Sequence, residues 1–514
     1  MRIPSRATAL AVAAVMPLAI AGTAHAAPAP QPKVVIGPTA VSGTTPFPGC
    51  TAGGPGTVSP GAEVEPWTTV NPRDPANIVT EWQQDRWNNG GAHGLVAGVT
   101  HDFGKHWKRV VIPKISKCSG GIYDRASDPG VSFSADGRTL YAISLSVDNF
   151  DPDLGFVTSA ILVSTSKNGG DTWSDPVTLR RDDDASFFND KELIVADPKD
   201  PRRAYAVWDR IDDRFSQPIW FSQTNDAGRT WSTARPIYDP TAPGATDPRF
   251  TIGNQIVVEP DGTLIDMFWE GSNSGLDEGG EWGHKPDTIK KAPLAPVIGN
   301  RIQVIRSRDH GRTWSAPSTV AFPSVAEIVD PDGKQPLRTA DIIGDIAVDH
   351  RTGRLYVTWQ DASAASSGAG ILISSSTNQG RTWSKPVKVN KTPDSPPQGN
   401  GQAFTPVVDV ATGGAVGVTY YDFRNNTPAP GALTDYWAVT CTSGGGACAG
   451  NAAKWREQHV GGSFDVTLAP IARGYFLGDY MGLDHAGSVF VANFAMTHPI
   501  PGNQQDIYAA GITP

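Results

Sequence analysis

The sequence predicts an all-β fold, a β-propeller built from four-stranded antiparallel blades with Asp-box turns. One observation is a hairpin pattern that recurs along the chain, with alternating apolar residues on both sides of a turn rich in Asp, Gly and Pro. The other is a short motif, Ser/Thr-x-Asp/Asn-x-Gly-x-x-Trp, that follows most of these hairpins. Two hairpins per repeat make a four-stranded blade, and blades arranged radially make a propeller.

The hairpin pattern is a near-periodic repeat. Its turns centre on Asp74, Asp136, Asp200, Asp261, Arg351, Gly413 and Ala486, so all but one of the steps fall between about 60 and 75 residues. The second run of each hairpin often ends in Trp. The hairpins are Val70–Trp82, Val131–Ser144, Leu193–Trp208, Ile256–Trp269, Ile346–Trp359, Val407–Asp422 and Met481–Phe494.

The Asp box is a turn motif, and its residues are structural. The Asp or Asn side chain bonds backbone amides, the Gly permits a positive φ, and the Trp packs between neighbouring units. We therefore expect these residues to identify the fold and to lie outside the functional site. The boxes are Thr100–Trp107, Ser166–Trp173, Thr224–Trp231, Ser307–Trp314 and Ser376–Trp383.

The repeat count predicts seven blades, with six and one hairpin outside the ring as the alternative. After the seventh hairpin only one more strand follows, near Asp506–Ile512, so the last blade lacks a strand. The segment Pro32–Gly37 has strand character and is predicted to complete that blade and close the ring. We expect residues 27–62 to supply this closing strand and residues 63–514 to form a single propeller domain.

The first 26 residues predict a signal peptide and a secreted, extracellular protein. Arg2 and Arg6 precede an apolar run to about residue 21, and Ala24-His25-Ala26 forms a small-residue cleavage site. That run is shorter than the ~20 residues of a membrane span, and none is expected elsewhere. The four cysteines suit an oxidising space, and the pairs Cys441–Cys448 and Cys50–Cys118 are predicted, although four cysteines allow three pairings.

The net charge and the absence of several motifs exclude some classes of partner and of enzyme. A formal net charge of −9 argues against nucleic acid and anionic membranes as partners. The sequence has no serine-hydrolase elbow, zinc-protease motif, phosphate loop or Cys-x-x-Cys pair. We predict a glycan or polysaccharide as the partner, a monomer, and no metal site or cofactor. Calcium is a weak alternative at Asp182–Asp184 or Asp151–Asp153, because their spacing is not that of an EF-hand.

The candidate site lies where the innermost strands begin, since residues just before each first hairpin strand converge on one rim of the channel. These segments are unusually polar. Arginines suit the bidentate grip of a carboxylate, carboxyl groups suit acid and base roles, and a Tyr beside a carboxylate can act as a nucleophile. The predicted substrate-binding residues are Arg125, Arg249, Arg338, Lys191, Gln255, Gln402 and Trp67. The predicted catalytic residues are Tyr480, Asp479, Glu192, Asp128 and Asp190.

Two other interpretations stay open. The charged residues could pair with one another and close the channel, leaving a non-catalytic glycan- or protein-binding propeller in which Trp67, Trp82 and Trp87 stack on ligand. Alternatively, a polysaccharide lyase would use Tyr480 or a His to remove a proton beside a uronate carboxylate neutralised by arginine.

With its Asp boxes, the chain resembles the bacterial sialidases and related exported proteins from residue 63 to the end. That resemblance implies a propeller of usually six blades, three arginines on the sialic acid carboxylate, a Tyr nucleophile paired with Glu, and an Asp as acid/base. The family's Arg-Ile-Pro motif occurs only as Arg2-Ile3-Pro4, within the predicted signal peptide. The leading hypothesis is a sialidase-like glycoside hydrolase acting on a terminal, acidic sugar.

Overall fold

The computed structural model is almost entirely β-sheet, as the periodicity predicts. The chain from Gln31 to Pro514 forms one compact unit. The structure describes Met1 and residues 33–151, 155–212, 216–241, 249–272, 299–325, 327–331, 333, 335–366, 368–393, 400–442 and 446–514. Apart from Met1, the predicted signal peptide lies outside these residues, so its prediction stays untested.

Most strands fall into seven successive groups, each an antiparallel array of four. The first strand, β1, spans Lys33–Ala40. Group 1 contains β2 (Val58–Val70), β3 (Ile78–Trp87), β4 (Ala92–Thr100) and β5 (Lys108–Val111). Group 2 contains β6 (Arg125–Phe133), β7 (Leu140–Asp151), β8 (Gly155–Ser166) and β9 (Val177–Asp182). Group 3 contains β10 (Phe188–Ala196), β11 (Ala204–Ile211), β12 (Ile219–Thr224) and β13 (Arg235–Tyr238).

The pattern continues in the second half of the chain. Group 4 contains β14 (Arg249–Val258), β15 (Leu264–Ser272), β16 (Arg301–Ser307) and β17 (Ser318–Ala321). A small sheet outside the groups contains β18 (Ile328–Val329), β19 (Pro336–Arg338) and β28 (Tyr475–Phe476). Group 5 contains β20 (Asp345–Asp349), β21 (Arg354–Asp361), β22 (Gly370–Ser376) and β23 (Val387–Lys388). Group 6 contains β24 (Ala403–Val410), β25 (Val416–Asp422), β26 (Leu433–Cys441) and β27 (Arg456–Asp465).

Group 7 joins the two ends of the described chain. It contains β29 (Gly482–Ala486), β30 (Val489–Thr497), β31 (Gln505–Thr513) and the N-terminal β1. Strand β1 pairs antiparallel with β31, with Val34 opposite Ile512 and Ala40 opposite Tyr508. The predicted N-terminal strand therefore completes the last four-stranded array.

Helices are short in the described residues. The one α-helix, α1, spans Gly446–Ala449. Single 3₁₀ turns span Lys117–Ser119, Ala362–Ala364, Ala452–Lys454 and Val466–Leu468. Within the described part of the chain, no helix is long and apolar enough to cross a membrane.

The Asp-box turns connect the third and fourth strands of groups 1 to 5, and their hydrogen bonds explain the motif. In the box of group 3, the Asp226 carboxylate accepts from the Thr230 amide at 2.9 Å, and the Gly228 amide donates to the Thr224 hydroxyl at 3.1 Å. Asn168 in group 2 makes the corresponding bond to the Thr172 amide at 3.0 Å. Every box tryptophan is half-buried.

The hydrophobic core lies between neighbouring groups. The Trp that ends many of the predicted hairpins is at most 2% exposed in four groups, where it lies in the second strand. Replacing such a residue by Ala would cost about 3 to 5 kcal/mol. These residues are Trp82, Trp208, Trp269 and Trp359.

Both predicted disulfides are present. Cys50 is bonded to Cys118 with 5.7 Å between their Cα atoms, and Cys441 is bonded to Cys448 with 5.8 Å. Among the three possible pairings, the structure therefore has the predicted one.

Candidate functional site

The first strands of the seven groups surround one cavity. Residues from β2, β6, β10, β14, β20, β24 and β29 all line it, and its volume is about 220 Å³. Each first strand contacts the first strand of the next group, and β29 of group 7 contacts β2 of group 1. The first strands, which follow the predicted polar segments, therefore meet around one channel.

A repeated β-bulge shapes the rim of this channel. In five groups the register between the first and the second strand shifts at the corresponding position. The first bulge residue has a positive φ, which is 55° at Glu65, 49° at Asp128 and 49° at Lys191. Side chains other than Gly adopt this conformation at a cost, and bulges often redirect a side chain at a functional site. The other two such residues are Gly253 and Thr405.

Three of these bulge residues meet in one buried cluster. The Lys191 ammonium lies 3.1 Å from an Asp128 oxygen, 3.6 Å from a Glu65 oxygen and 2.7 Å from an Asp479 oxygen. The four side chains are at most 4% exposed. A buried ammonium needs such carboxylate partners, because an unpaired buried charge costs several kcal/mol. We name Glu65, Asp128, Lys191 and Asp479 the rim cluster.

Arg338 reaches the rim cluster through the small sheet. Strand β19 pairs in parallel with β28, which places Arg338 beside Phe476, with the guanidinium carbon 4.3 Å from the ring centroid. The guanidinium binds both Asp479 oxygens, with 2.9 Å from Nε to Oδ1. Burial alone would raise the pKa of Asp479, but Arg338 and Lys191 hold it well below its ordinary value. Asp479 is therefore an anchoring carboxylate within the cluster.

Tyr480 and Trp67 lie beside this cluster. The Tyr480 hydroxyl donates to an Asp128 oxygen at 3.3 Å, and its ring packs edge-to-face on Trp67 with 5.6 Å between centroids. Both residues are partly exposed. Burial and the nearby carboxylates, Glu65 first, raise the pKa of the Tyr480 phenol well above its ordinary value. Tyr480 therefore carries its proton at neutral pH.

Burial raises the pKa of two carboxyl groups at the rim. Burial raises the pKa of Glu192 well above its ordinary value, and the Asp128 charge adds to the effect. Burial also raises the pKa of Glu65, although Lys191 opposes it. Neither Glu192 oxygen has a hydrogen-bond partner on another described residue. The rim thus combines an ion-paired carboxylate with a neutral carboxylic acid, the combination that general acid catalysis uses.

Two of the three predicted arginines lie within the strand groups, away from the rim cluster. Arg125 is fully buried and donates to the main-chain oxygens of Gly53 and Pro55, and it stacks 4.1 Å from the Trp87 ring centroid. Arg249 binds Glu270 across the first strand pair of group 4, with 2.9 Å from Nε to Oε1. In the described residues, only Arg338 of the predicted trio contacts the rim cluster.

The remaining predicted residues have structural partners. Asp190 accepts from the Lys191 amide at 2.9 Å. Gln255 bonds the main chain of Gly344 and Ile346, and Gln402 bonds both main-chain atoms of Val329. Trp82 and Trp87, considered as stacking residues, are buried. These contacts connect neighbouring first strands and loops.

Sequence reasoning missed Glu65 and Arg86. Glu65 accepts from the Gln83 side chain and from the Asp479 amide, the latter at 3.1 Å. Arg86 lies 4.9 Å from the Phe476 ring centroid and lowers the pKa of Glu65. The sequence did contain a feature that points to Glu65, because Glu65-Pro66 and Asp128-Pro129 occupy corresponding positions in the repeat.

A second ionisable group lies at the other end of the channel. Asp409, Asp484 and His485 place their ligand atoms within 4.8 Å of one another. The His485 Nδ1 is 2.8 Å from an Asp409 oxygen, and the Val70 and His485 amides each donate to Asp484 at 2.7 Å. Burial alone would lower the pKa of His485, but Asp409 raises it to about 9. The ion pair between the His485 imidazolium and the Asp409 carboxylate explains why these side chains lie close together.

Two residues of the acidic runs considered for calcium bind arginines. Asp182 binds Arg210 through both oxygens at 2.8 Å, and Asp183 binds Arg181. Residues 152 and 153 lie outside the described residues. We therefore draw no calcium site from either run.

The solved structures similar to this chain include sialidases and arabinofuranosidases, all at low similarity. No family model and no curated protein matches the sequence. The Hadza microbial sialidase Hz136 is 16% identical, covers 70% of this chain and is itself covered over 63% of its length, with a TM-score of 0.43. The GH93 α-L-arabinofuranosidase of Fusarium graminearum is 11% identical, with 89% of this chain and 96% of that chain covered and a TM-score of 0.43.

A third similar structure is the NanB sialidase from Streptococcus pneumoniae. It is 10% identical, covers 71% of this chain, is covered over 66% of its own length, and has a TM-score of 0.42. Sialidases, the family that the Asp boxes resemble, thus occur among the similar solved structures. With TM-scores below 0.5, these similarities carry no argument about substrate or residue roles.

Proposed function

We propose that the protein is a sialidase-like glycoside hydrolase whose active site is the rim of the central channel. The observation that carries the proposal is the rim cluster with its neighbours. Side chains from groups 1, 2 and 3 and from the segment before group 7 converge there, and an ion-paired Asp128 lies near a neutral Glu192. Glycoside hydrolysis needs a proton donor and a group that stabilises positive charge on the sugar ring.

We assign a catalytic role to each residue from its protonation state and its contacts. Glu192, which retains its proton, gives it to the leaving glycosidic oxygen. Asp128 faces the developing positive charge of the sugar ring. Tyr480 is the candidate nucleophile, because its hydroxyl already donates to Asp128, which accepts the proton as the bond to the sugar forms. Lys191 and Arg338 position Asp128 and Asp479.

The ion pairs of the rim weigh against an acidic sugar. Arg338 is bound to Asp479, and the Lys191 ammonium lies among three carboxylates. A substrate carboxylate would have to displace protein carboxylates from these cations. We therefore propose a terminal sugar without an essential carboxylate as substrate, and the same ion pairs leave a uronate lyase without support.

We further propose that the seven groups are the blades of one closed ring and that the protein is exported. The ring is supported by the continuous contacts among first strands and by the pairing of β1 with β31. Export is supported by the two disulfides, which persist in oxidising compartments.

A non-catalytic binding propeller is the second candidate, and burial favours it. The four rim-cluster side chains are at most 4% exposed, and each is paired. On this interpretation the cluster closes the channel and ligand binds only to the partly exposed Trp67 and Tyr480.

The test is hydrolysis of fluorogenic glycosides by the mature protein, using a sialoside, an α-L-arabinofuranoside and neutral hexosides. Glu192→Gln and Tyr480→Phe should each lower kcat on the accepted substrate by at least about a hundredfold, the usual size of a lost acid/base contribution. Asp175→Asn, in an exposed ion pair with Lys114, is the matched control and should leave kcat unchanged.

Absence of turnover on the whole panel, together with glycan binding that Trp67→Ala abolishes, would replace the hydrolase with the binding protein. Turnover that survives Glu192→Gln in a folded variant would refute the assigned acid. Sialoside hydrolysis in preference to neutral glycosides would restore the acidic-sugar prediction.

A further inference from the structure

A second pocket lies at the opposite ends of the strands from the rim cluster. It has a volume of about 410 Å³ and is formed by the turn after β14, the turn after β20 and the Asp box of group 5. Its walls present guanidinium, carboxyl, hydroxyl and amide groups. Its lining includes Glu259, Asp261, Arg351, Thr377, Gln379 and Arg381.

Three arginines lie at or beside this pocket. Arg351 and Arg381 line it, and Arg308, outside the lining, bonds the lining residue Gln379. Arg351 is bound to Asp349 at 3.3 Å. Among the described residues, neither Arg308 nor Arg381 has a carboxylate within ion-pair distance, and both are exposed. Arg308 donates to the Gln379 side chain at 2.6 Å, and Arg381 donates to the Asn378 main chain at 3.1 Å. Burial lowers the pKa of the adjacent Arg306, and repulsion from Arg381 and Arg308 lowers it further.

The carboxyl groups of the pocket are placed to accept hydrogen bonds. Asp261 is exposed and accepts from the Gln379 amide at 2.7 Å. Glu259 is 4% exposed, and its Oε1 has no hydrogen-bond partner among the described residues. A buried polar atom without a partner is uncommon in folded proteins and marks a place where a ligand can bind.

We propose that this pocket is a second glycan-binding site, separate from the proposed active site, that takes an acidic sugar unit of a polysaccharide. Arg308 and Arg381 bind the carboxylate or sulfate of that unit. The Asp261 and Glu259 oxygens accept hydrogen bonds from its hydroxyl groups, and Thr377 and Gln379 complete the polar wall.

The chemistry of the walls favours a polysaccharide over other polyanions. Sugars offer hydroxyl donors beside an anionic group, and the pocket offers carboxyl acceptors beside its arginines. The pocket lining contains no aromatic side chain on which a nucleic acid base could stack. The net charge of −9 also repels long polyanions, so the anion must be bound locally.

The test uses labelled polygalacturonate and dextran sulfate, with neutral dextran as the uncharged chain, and measures binding by fluorescence anisotropy. The double variant Arg308→Gln with Arg381→Gln should weaken binding of the acidic chain by at least about tenfold, since two charge-assisted contacts are lost. Arg229→Gln is the matched control, because Arg229 holds the Arg381 position in the box of group 3 and likewise bonds a box main-chain oxygen.

Weaker binding of the acidic chain by the double variant, with full binding by the control, supports the site. Tighter binding of polygalacturonate would indicate a carboxylate as the bound group, and tighter binding of dextran sulfate would indicate a sulfate. Binding to neither acidic chain, equal binding to neutral dextran, or equal loss in the control overturns it. Hydrolysis of a small glycoside should be unchanged in the double variant, so failure here is distinct from failure of the proposed function.

Discussion

At the scale of single residues, the candidate site depends on backbone conformation more than on residue type. Glu65, Asp128 and Lys191 have positive φ at corresponding bulges and meet around one ammonium. Each such non-Gly residue costs on the order of 1 kcal/mol or more, which the surrounding strands must offset. Strain retained at three converging positions is typical of a site kept for function.

Buried carboxyl groups make the stability of the protein depend on pH. Glu81 is fully buried, neither of its oxygens has a partner among the described residues, and burial raises its pKa well above the ordinary value. The folded state therefore holds a proton that the unfolded chain releases above about pH 4. Stability from this group is fully present below that pH and is lost as pH rises toward the raised pKa.

Replacing this carboxyl group should remove part of that pH dependence. We expect Glu81→Gln to raise the free energy of unfolding by roughly 1 to 3 kcal/mol at pH 8 and by much less at pH 4, because the amide cannot ionise. Denaturant unfolding at both pH values measures this, with the exposed Asp175→Asn as control. A gain that is equal at both pH values would contradict the argument.

At the scale of elements, the Asp boxes show how a turn can be repeated with different residues. Asp226 in group 3 and Asn168 in group 2 accept corresponding amide bonds at 2.9 and 3.0 Å. The turn therefore does not require a carboxylate charge at this position, but it does require a side-chain oxygen that accepts the amide hydrogen bond.

This equivalence gives a prediction within one turn. Asp226→Asn should change the free energy of unfolding by less than about 0.5 kcal/mol, whereas Asp226→Ala should lower it by about 1 to 2 kcal/mol, because the Thr230 amide loses its acceptor. Thermal and denaturant unfolding of the two variants compare them directly. Equal losses in both would show that the charge itself stabilises the turn.

At the scale of the whole molecule, the chain ends are secured to the sheets by strand pairing and a disulfide. Strand β1 pairs with β31, and Cys50, which follows β1, is bonded to Cys118 between groups 1 and 2. This bridge spans 68 residues, whereas Cys441–Cys448 spans only 7. A longer loop loses more chain entropy on closure in the unfolded state.

The two bridges should therefore differ in their effect on stability. Removing Cys50–Cys118 by paired Ala substitutions should lower the free energy of unfolding by about 4 kcal/mol, and removing Cys441–Cys448 by about 2 kcal/mol. Denaturant unfolding of both double variants tests the order. A larger loss for the short bridge would show that it stabilises group 6 by local packing.

The sequence alone determined the repeated architecture, whereas the cysteine pairing was one of three that it allowed. Alternating apolar residues, turn chemistry and the box motif act over a few residues, so each is visible in one repeat and reinforced by the others. The strand near the N-terminus was predictable because group 7 lacked one strand. Asp128, Lys191, Asp479 and Tyr480 were predictable because a repeat places corresponding residues around one axis.

Tertiary structure decided which charged residues meet. Arg338 reaches Asp479 because β19 pairs with β28 across more than a hundred residues of chain, and no local pattern marks two such short strands. Arg125, at the start of its own first strand, instead packs against Trp87. Glu65 reaches the rim cluster from a bulge at which its φ is positive. Local periodicity fixes which strands form, whereas packing between distant segments fixes the direction of each side chain.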